Sequence, residues 1–481
     1  MEYLYGAAIQ GIQSYIFSTN ALKEIVGASE IVENICTNAF KKYLEQKPYE
    51  IIVSAAGNIK LKFQSQDDMA DLVENFPMYV QQLAPGITVS QAVVEVEGQI
   101  EKGHFDKLEQ QLKTQRNIPA KPAIHSALGI ERDRKSGLSA SGYEYESNGE
   151  KKPFDLSRIK KCKNSKMNNL ANKMNNTESA NENLFPKEFS DIINTKNSSW
   201  LAVIHADGNN LGKTIQSLSG NESVIDLYKT FSKNLNEATC LSAKNAFDKE
   251  ISPDFKANYK LNNNTLYPLR PVIIGGDDLT VICRADLALP FIKTYLDEFE
   301  KNSESIVGQK ITACAGIAFI KEKYPFHYAI DLAENLCAYA KEKSKGFDEE
   351  NAPSSVMFHK VQSGFVESYQ EIKSRELYAQ ASKMNFCFGP YYLNQTGTSW
   401  TIDDLLETKR EMIKNEKFPL SGLRKWLSEL HFDKGSAELL WKRIEQLTES
   451  KSKPILSRLK TDSNTPVYDL LSIISLEKGG N

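Results

Sequence analysis

In the first three-quarters of the chain, apolar residues gather into short β-branched runs bounded by small-residue turns; the last quarter carries stripes at helical spacing. Residues 3–9 predict a strand, and 11–16 open a helical stretch. Residues 51–63 read as strand, turn and strand around Ala55-Ala56-Gly57-Asn58. Residues 200–204 predict another strand, which runs into His205, Ala206, Asp207, Gly208, Asn209, Asn210, Leu211, Gly212 and Lys213. The apolar run Pro271, Val272, Ile273, Ile274 meets Gly275-Gly276-Asp277-Asp278 and resumes as Leu279, Thr280, Val281, Ile282. That is a hairpin whose Gly-Gly pair tolerates the positive φ of a tight turn and whose tip holds two acids. Towards the C-terminus, residues 405–414, 420–431 and 437–447 place apolar side chains at helical spacing, for instance Leu423, Trp426, Leu427 and Leu430. Such a stripe is core packing, because a helix must bury its apolar face.

Two adjacent carboxylates on a rigid turn are costly unless a cation neutralises them, and Mg²⁺ is usually held by one or two carboxylates together with substrate phosphates. Asp207 is a further acid at a strand's end. If the two strands are neighbours, Asp207, Asp277 and Asp278 converge on one Mg²⁺ or Mn²⁺ site, with the Gly208 carbonyl as a further oxygen ligand. The competing reading is that Gly-Gly-Asp-Asp is simply a good turn sequence.

The Asp-Gly-Asn-Asn-Leu-Gly-Lys turn, the Gly-Gly-Asp-Asp hairpin, the Thr312-Ala313-Cys314-Ala315-Gly316-Ile317-Ala318 strand and the Leu332 to Lys341 segment with its Ala340-Lys341 pair occur in that order. Together they resemble the palm domain of the large subunit of type III CRISPR effector complexes, itself related to the GGDEF diguanylate cyclases. Residues 1–130 echo the same plan without its acids. Ala55-Ala56-Gly57-Asn58 stands where the later copy has Gly275-Gly276-Asp277-Asp278, and no carboxylate in 6–13 matches Asp207. The fold class expected is therefore α+β, with two ferredoxin-like palms and a helical C-terminal domain. The expected boundaries are 1–130 for a degenerate first palm, 131–197 for a connector, 198–365 for the catalytic palm and 366–481 for the helical domain. The resemblance implies that the palms face each other, one supplying catalysis and the other a second nucleotide pocket. It also implies ATP as substrate and a cyclic oligoadenylate or cyclic dinucleotide as product, a second messenger in antiviral defence. Family members often carry a cysteine-ligated zinc between the palms and an HD nuclease domain before them. Neither is expected here, because there is no close Cys-x-x-Cys pair and no histidine is followed by Asp.

The chemistry expected is attack of a ribose hydroxyl on an NTP α-phosphate with loss of pyrophosphate, helped by two divalent ions. Backbone N–H groups of the 208–212 turn are candidate donors to the phosphoryl oxygens, and Gly275 and Gly276 belong to the nucleotide site. Lys341, through the family's Ala-Lys position, and Lys213 are candidate phosphate contacts; Lys213 reads equally as a solvated helix residue. Asn209 and Asn210 either orient ribose or metal-bound water or bond the local backbone. Two non-enzymatic readings remain: a scaffold subunit binding guide or target RNA and other CRISPR-type subunits, and an NTP sensor without turnover.

Composition adds bounds. A chain of 481 residues should hold two to four domains. Its net charge of −3 removes any global attraction to nucleic acid, so RNA contact would rest on local runs such as Arg158, Lys160, Lys161, Lys163 and Lys166, more simply read as a solvated loop. Residues 163–183, rich in Asn, Lys, Ser and Met, suggest a mobile insertion between the palms. Seven unpatterned cysteines suit a reducing compartment. No apolar run approaches 18 residues and no leader pattern is visible, so a cytoplasmic protein without membrane contact is expected. Two palms in one chain make a dimer unnecessary, though self-association remains open.

Overall fold

The computed structural model describes the chain apart from residues 56, 119–128, 146–149, 176–183, 194–198, 213–223, 260–264, 363–367, 462 and 478–481. Its two main sheets share one plan. Strands β1 (Glu2–Gln10), β2 (Glu50–Ala55), β3 (Asn58–Phe63) and β4 (Thr88–Val96) pair in the order β2-β3-β1-β4. After a small hairpin of β5 (Ala140–Tyr145) and β6 (Lys151–Asp155), the plan returns as β7 (Trp200–Gly208), β8 (Leu269–Gly275), β9 (Asp278–Arg284) and β10 (Ala313–Lys321), in the order β8-β9-β7-β10. In both copies a helix separates the first strand from the hairpin and another separates the hairpin from the last strand. The two expected palms are therefore present as duplicated βαββαβ units.

Register makes the two copies comparable position by position. Ala55 pairs with Asn58 across the first hairpin, as Gly275 pairs with Asp278 across the second. Gly57 and Gly276 take φ values of +78° and +63°, the left-handed backbone that a two-residue turn requires. Ala8 pairs with Asn58, so the place of Asp207 beside Asp278 is held in the first palm by an alanine beside an amide.

The second sheet continues beyond the palm unit. The helix Phe326–Phe347 carries the chain from β10 to the parallel strand β11 (Ser355–Lys360). The pair β12 (Tyr378–Ala379) and β13 (Met384–Asn385) follows, and β14 (Tyr391–Tyr392) then returns to pair with β11. The palm sheet thus reclaims residues expected in the helical domain. Past them, the helices Ile402–Lys414, Leu420–Phe432, Lys434–Leu447 and Val467–Glu477 bury Leu423, Trp426 and Leu430, as the stripe predicts.

Gly316 decides how the Phe326–Phe347 helix sits. A Cβ at that position would lie 1.9 Å from the Ala333 carbonyl oxygen, so helix and strand approach as only glycine allows. Gly316→Ala is expected to destabilise the fold by about 2 kcal/mol or more, read as a lower thermal unfolding midpoint, because backbone rather than a flexible side chain must move.

The connector departs from expectation. Its basic run lies largely on the helix Leu156–Asn164, with Lys166 in the turn after it, and its exposed members are Lys163 and Lys166. Arg158 is buried, with Nη1 on Asp133 (2.6 Å) and Nη2 on Glu24 (2.8 Å). Lys161 is buried too, donating to the Tyr15 carbonyl and Ser18 Oγ at 2.6 and 2.9 Å. Residues 163–175, expected to be mobile, include the helix Asn169–Met174, whose Leu170, Ala171 and Met174 are buried. Buried Glu30 of the first palm accepts the backbone N–H groups of Asn169 and Leu170 at that helix's start. Residues 176–183 lie outside the described residues. Among the described residues no helix is long and apolar enough to cross a membrane.

Candidate active site

The acid cluster follows from the register of the central strands. β7 pairs with β9 up to Ala206 and Leu279, so the next step brings Asp207 beside Asp278, and the turn adds Asp277. Ligand oxygens of Asp207, Asp277 and Asp278 all lie within 4.8 Å of one another, and each residue is partly buried. Gly208 permits this crowding, since a Cβ there would stand 2.7 Å from Leu211 Cδ1 and 3.1 Å from Asp277 Cβ. The hairpin tip is pinned from behind: Gly276 N–H donates to Asn236 Oδ1 (3.3 Å) and Thr239 Oγ1 donates to the Gly276 carbonyl (2.6 Å). Both partners stand on the helix Val224–Ala246, a link the sequence did not suggest.

Electrostatics fit a cation. Burial, reinforced by Asp278 and Asp207, pushes the Asp277 carboxyl up to about 8. Burial and then Asp207 push Asp278 up to about 7, with Lys341 opposing. Lys341, near the end of the Phe326–Phe347 helix, donates to Asp207 Oδ2 and, at 2.8 Å, to the Gly208 carbonyl. Burial pulls its ammonium down, but the charge and hydrogen bond of Asp207 more than offset this and leave it raised. Lys341, expected against phosphate, bonds the two groups expected to ligate metal. A divalent cation suits the same oxygens, because it removes the repulsion that otherwise favours protonation.

The following turn serves the protein more than a ligand. Asn209 donates from Nδ2 to Thr312 Oγ1 (2.9 Å), and its N–H donates to the Thr312 carbonyl (2.8 Å). Asn210, at φ +57°, donates to the Glu349 and Glu350 carbonyls at 2.8 and 3.0 Å. Both amides thus tie β7 to residues distant in sequence, Asn209 to Thr312 and Asn210 to the loop after the Lys341 helix. Leu211 and Gly212 begin a helical turn, and Lys213 lies outside the described residues.

Two groups near the acids escaped the sequence reading. Glu334 stands two turns before Lys341 on the same helix; burial, Asp331 and Asp278 raise its carboxyl to about 7, and its buried Oε1 has no partner among the described residues. The seven-residue spacing to Lys341 was the available signal. Tyr295 is fully buried with an unpartnered hydroxyl, held well above its usual pKa by burial and then by Asp277 and Asp278.

A cavity of about 410 Å³ reaches the cluster at Asp278. The second palm contributes Asp278, Gly275 and His205, and the first contributes Gly11, Ser14 and Gly57, so both palms wall one space. Lys173 of the connector stitches them, pairing with Glu33 of the first palm and donating to the Ile274 carbonyl of β8, at 2.8 and 2.7 Å.

Residues 200–348 match the family model of the second palm domain of Cas10/Cmr2. The fold of nearly the whole chain resembles chains of solved Csm1-Csm4 structures. For a Csm1-Csm4 cassette in complex with AMPPNP the identity is 13% and the TM-score 0.56, covering 99% of this chain and 70% of that one. For a cassette in complex with cA3 the values are 12% and 0.54, covering 100% and 70%. For a Csm1-Csm4 subcomplex of the type III-A CRISPR-Csm interference complex they are 12% and 0.53, covering 99% and 69%. No curated protein matches the sequence. The likeness to the large subunit of type III CRISPR complexes therefore holds in family model and in fold.

Proposed function

From a Cas10/Cmr2-type second palm beside a copy of the same unit that lacks the three acids, we propose that the chain is a metal-dependent nucleotidyltransferase that joins ATP into a cyclic oligonucleotide messenger. The observation that carries this reading is the trio Asp207, Asp277 and Asp278 at metal-ligating spacing, with Asp278 lining a cavity shared by both palms. A Mg²⁺ or Mn²⁺ ion there supplies Lewis-acid polarisation of the α-phosphate and a lower pKa for the attacking ribose hydroxyl. The three carboxylates and the Gly208 carbonyl would hold it, and Lys341 fixes the carboxylate of Asp207. Gly275 and Gly276 let the nucleotide approach the hairpin backbone without a side chain in the way. The Gly11 to Ser14 edge of the first palm forms the opposite wall for the acceptor nucleotide. In the reaction the ribose oxygen bonds to phosphorus, pyrophosphate leaves, and the hydroxyl proton is released. Adenine and a cyclic product are supported by fold likeness to chains solved with AMPPNP and cA3.

The test is incubation of purified protein with Mg²⁺ or Mn²⁺ and each NTP, with mass spectrometry of the products. Cyclic oligoadenylate from ATP, absent from an Asp277→Ala/Asp278→Ala control, is the expected result. No pyrophosphate and no new nucleotide, with or without added RNA, would sink it. A role as a complex subunit is favoured by the fold likeness to a chain of the Csm1-Csm4 subcomplex. Copurification with guide RNA and other subunits checks that second reading, which is compatible with the first.

A further inference from the structure

The far end of the catalytic sheet carries a second, cationic cavity. It measures about 330 Å³ and opens between β11 and the C-terminal helices. Its rim holds Lys360, Arg424 and His431, and its wall holds Tyr468, Leu427 and Leu471. Lys360 ends β11, Arg424 is exposed on the helix Leu420–Phe432, and Tyr468 stands on the helix Val467–Glu477, so three separate elements converge.

The charges here are unbalanced. Lys360 and Lys321 stack on the same ring, their ammonium groups 4.3 and 4.1 Å from the centroid of Trp200. Among the described residues each bonds only a serine hydroxyl, Lys360 with Ser475 and Lys321 with Ser199. Among the described residues no carboxylate pairs with Lys321, Lys360 or Arg424. The nearby acids are engaged elsewhere: Asp469 accepts from Tyr391 at 2.7 Å, and Glu376 faces His359 and Arg375. Burial, with Lys321 and Arg424 adding to it, pulls the Lys360 ammonium down to about 8. Like charges gathered at a half-buried spot are unfavourable until an anion joins them.

The apolar side narrows the ligand. Tyr468 is half-buried, its hydroxyl accepts from Gln362 Nε2 (3.2 Å), and its ring lies nearly parallel to Phe386 (5° between planes). His359 is nearly parallel to the same ring (12°), and the part of Tyr468 that lines the cavity offers an aromatic contact beside the cations. Volume near the lower end of the ~300–1,000 Å³ range of small-molecule sites suits a mononucleotide-sized ligand. Trp200 and Asp207 lie at opposite ends of β7, about 23 Å apart at ~3.3 Å per residue, so this cavity is separate from the acid cluster.

We propose that this cavity binds a small phosphorylated nucleotide, with the phosphoryl group between Lys360 and Arg424 and the base against Tyr468. The ligand is either a free nucleotide or the phosphorylated end of a short oligonucleotide. The inference stands independently of the transferase reading, because none of these residues belongs to the acid cluster.

The test uses the full chain carrying Asp277→Ala/Asp278→Ala, in EDTA, titrated calorimetrically with AMP, pApA, adenosine and inorganic phosphate. AMP or pApA should bind without metal, the tighter of the two naming the source, and adenosine should bind at least tenfold more weakly. Arg424→Gln, an exposed change that spares the core, should weaken AMP binding at least fivefold, and Lys360→Met at least tenfold, with thermal unfolding confirming that both fold. Binding of neither AMP nor pApA, or binding of the tighter of the two unchanged in Arg424→Gln, overturns the site. Inorganic phosphate binding as tightly as AMP overturns the stacking on Tyr468.

Discussion

Asp278→Asn is expected to lower nucleotidyl transfer by about 10³-fold while raising the melting temperature of the metal-free protein at pH 8. Loss of activity follows from removing a charged ligand, since metal assistance supplies several kcal/mol of transition-state stabilisation and about 4 kcal/mol equals a factor of roughly 10³. The gain in stability follows from the position of the carboxyl. Burial and Asp207 raise Asp278 from an ordinary 3.8 to about 7 in the fold. A carboxyl whose folded pKa is raised favours the fold at acid pH, and that contribution is lost as pH rises through about 7. Asparagine has no charge to lose. Wild type and variant should therefore differ little near pH 4 and diverge towards pH 8, where the variant should melt at least about 3 °C higher, roughly 1 kcal/mol. Saturating Mg²⁺ should close the gap by stabilising only the wild type. Calorimetry at the two pH values, with and without Mg²⁺, reads all of this, and a variant less stable than wild type at pH 8 without metal would refute the cation-site account.

The duplicated palms were legible because hairpins and buried central strands write their pattern locally. β-branched runs and glycine turns are enough to align Ala55-Ala56-Gly57-Asn58 with Gly275-Gly276-Asp277-Asp278, and the register repeats that alignment residue for residue. The acid trio was legible for the same reason: Asp207 and Asp278 stand at facing strand ends and Asp277 in the hairpin turn just before Asp278. What stayed hidden depends on how elements approach each other. Helical periodicity puts Lys341 on a helix, but the close approach of that helix to the strand at Gly316 and Ala333, which sets where its ammonium meets Asp207, is not written in the periodicity. Asn209 and Asn210 look like turn residues, and their true partners are 103 to 143 positions away in sequence. The connector misled through composition. Its Asn and Lys content reads as solvated, yet Leu170, Ala171 and Met174 are the residues that decide its place, and Arg158 and Lys161 are satisfied by first-palm groups that no local pattern points to.

Lys341→Met is expected to split metal binding from turnover. In wild type the ammonium holds Asp207 Oδ2 and the Gly208 carbonyl, the oxygens a divalent cation also needs. Removing it leaves three carboxylates within 4.8 Å without their internal cation. Two unit charges about 4 Å apart interact by about 4 kcal/mol at an effective dielectric of 20, so the metal-free variant should lose stability as pH rises towards 8. The same loss should strengthen Mn²⁺ binding by at least about tenfold, or 1.4 kcal/mol, because the ion no longer meets a like charge. Turnover should nevertheless fall by about 10²-fold, since Asp207 loses the group that orients it and the developing phosphoryl charge loses a nearby cation. Mn²⁺ titration followed by electron paramagnetic resonance, beside product formation from ATP, measures the two effects separately. A lysine serving only to hold the helix in place would weaken both together. Tighter metal with slower chemistry is the signature of a counter-ion built into the site, and equal metal affinity in variant and wild type would remove Lys341 from it.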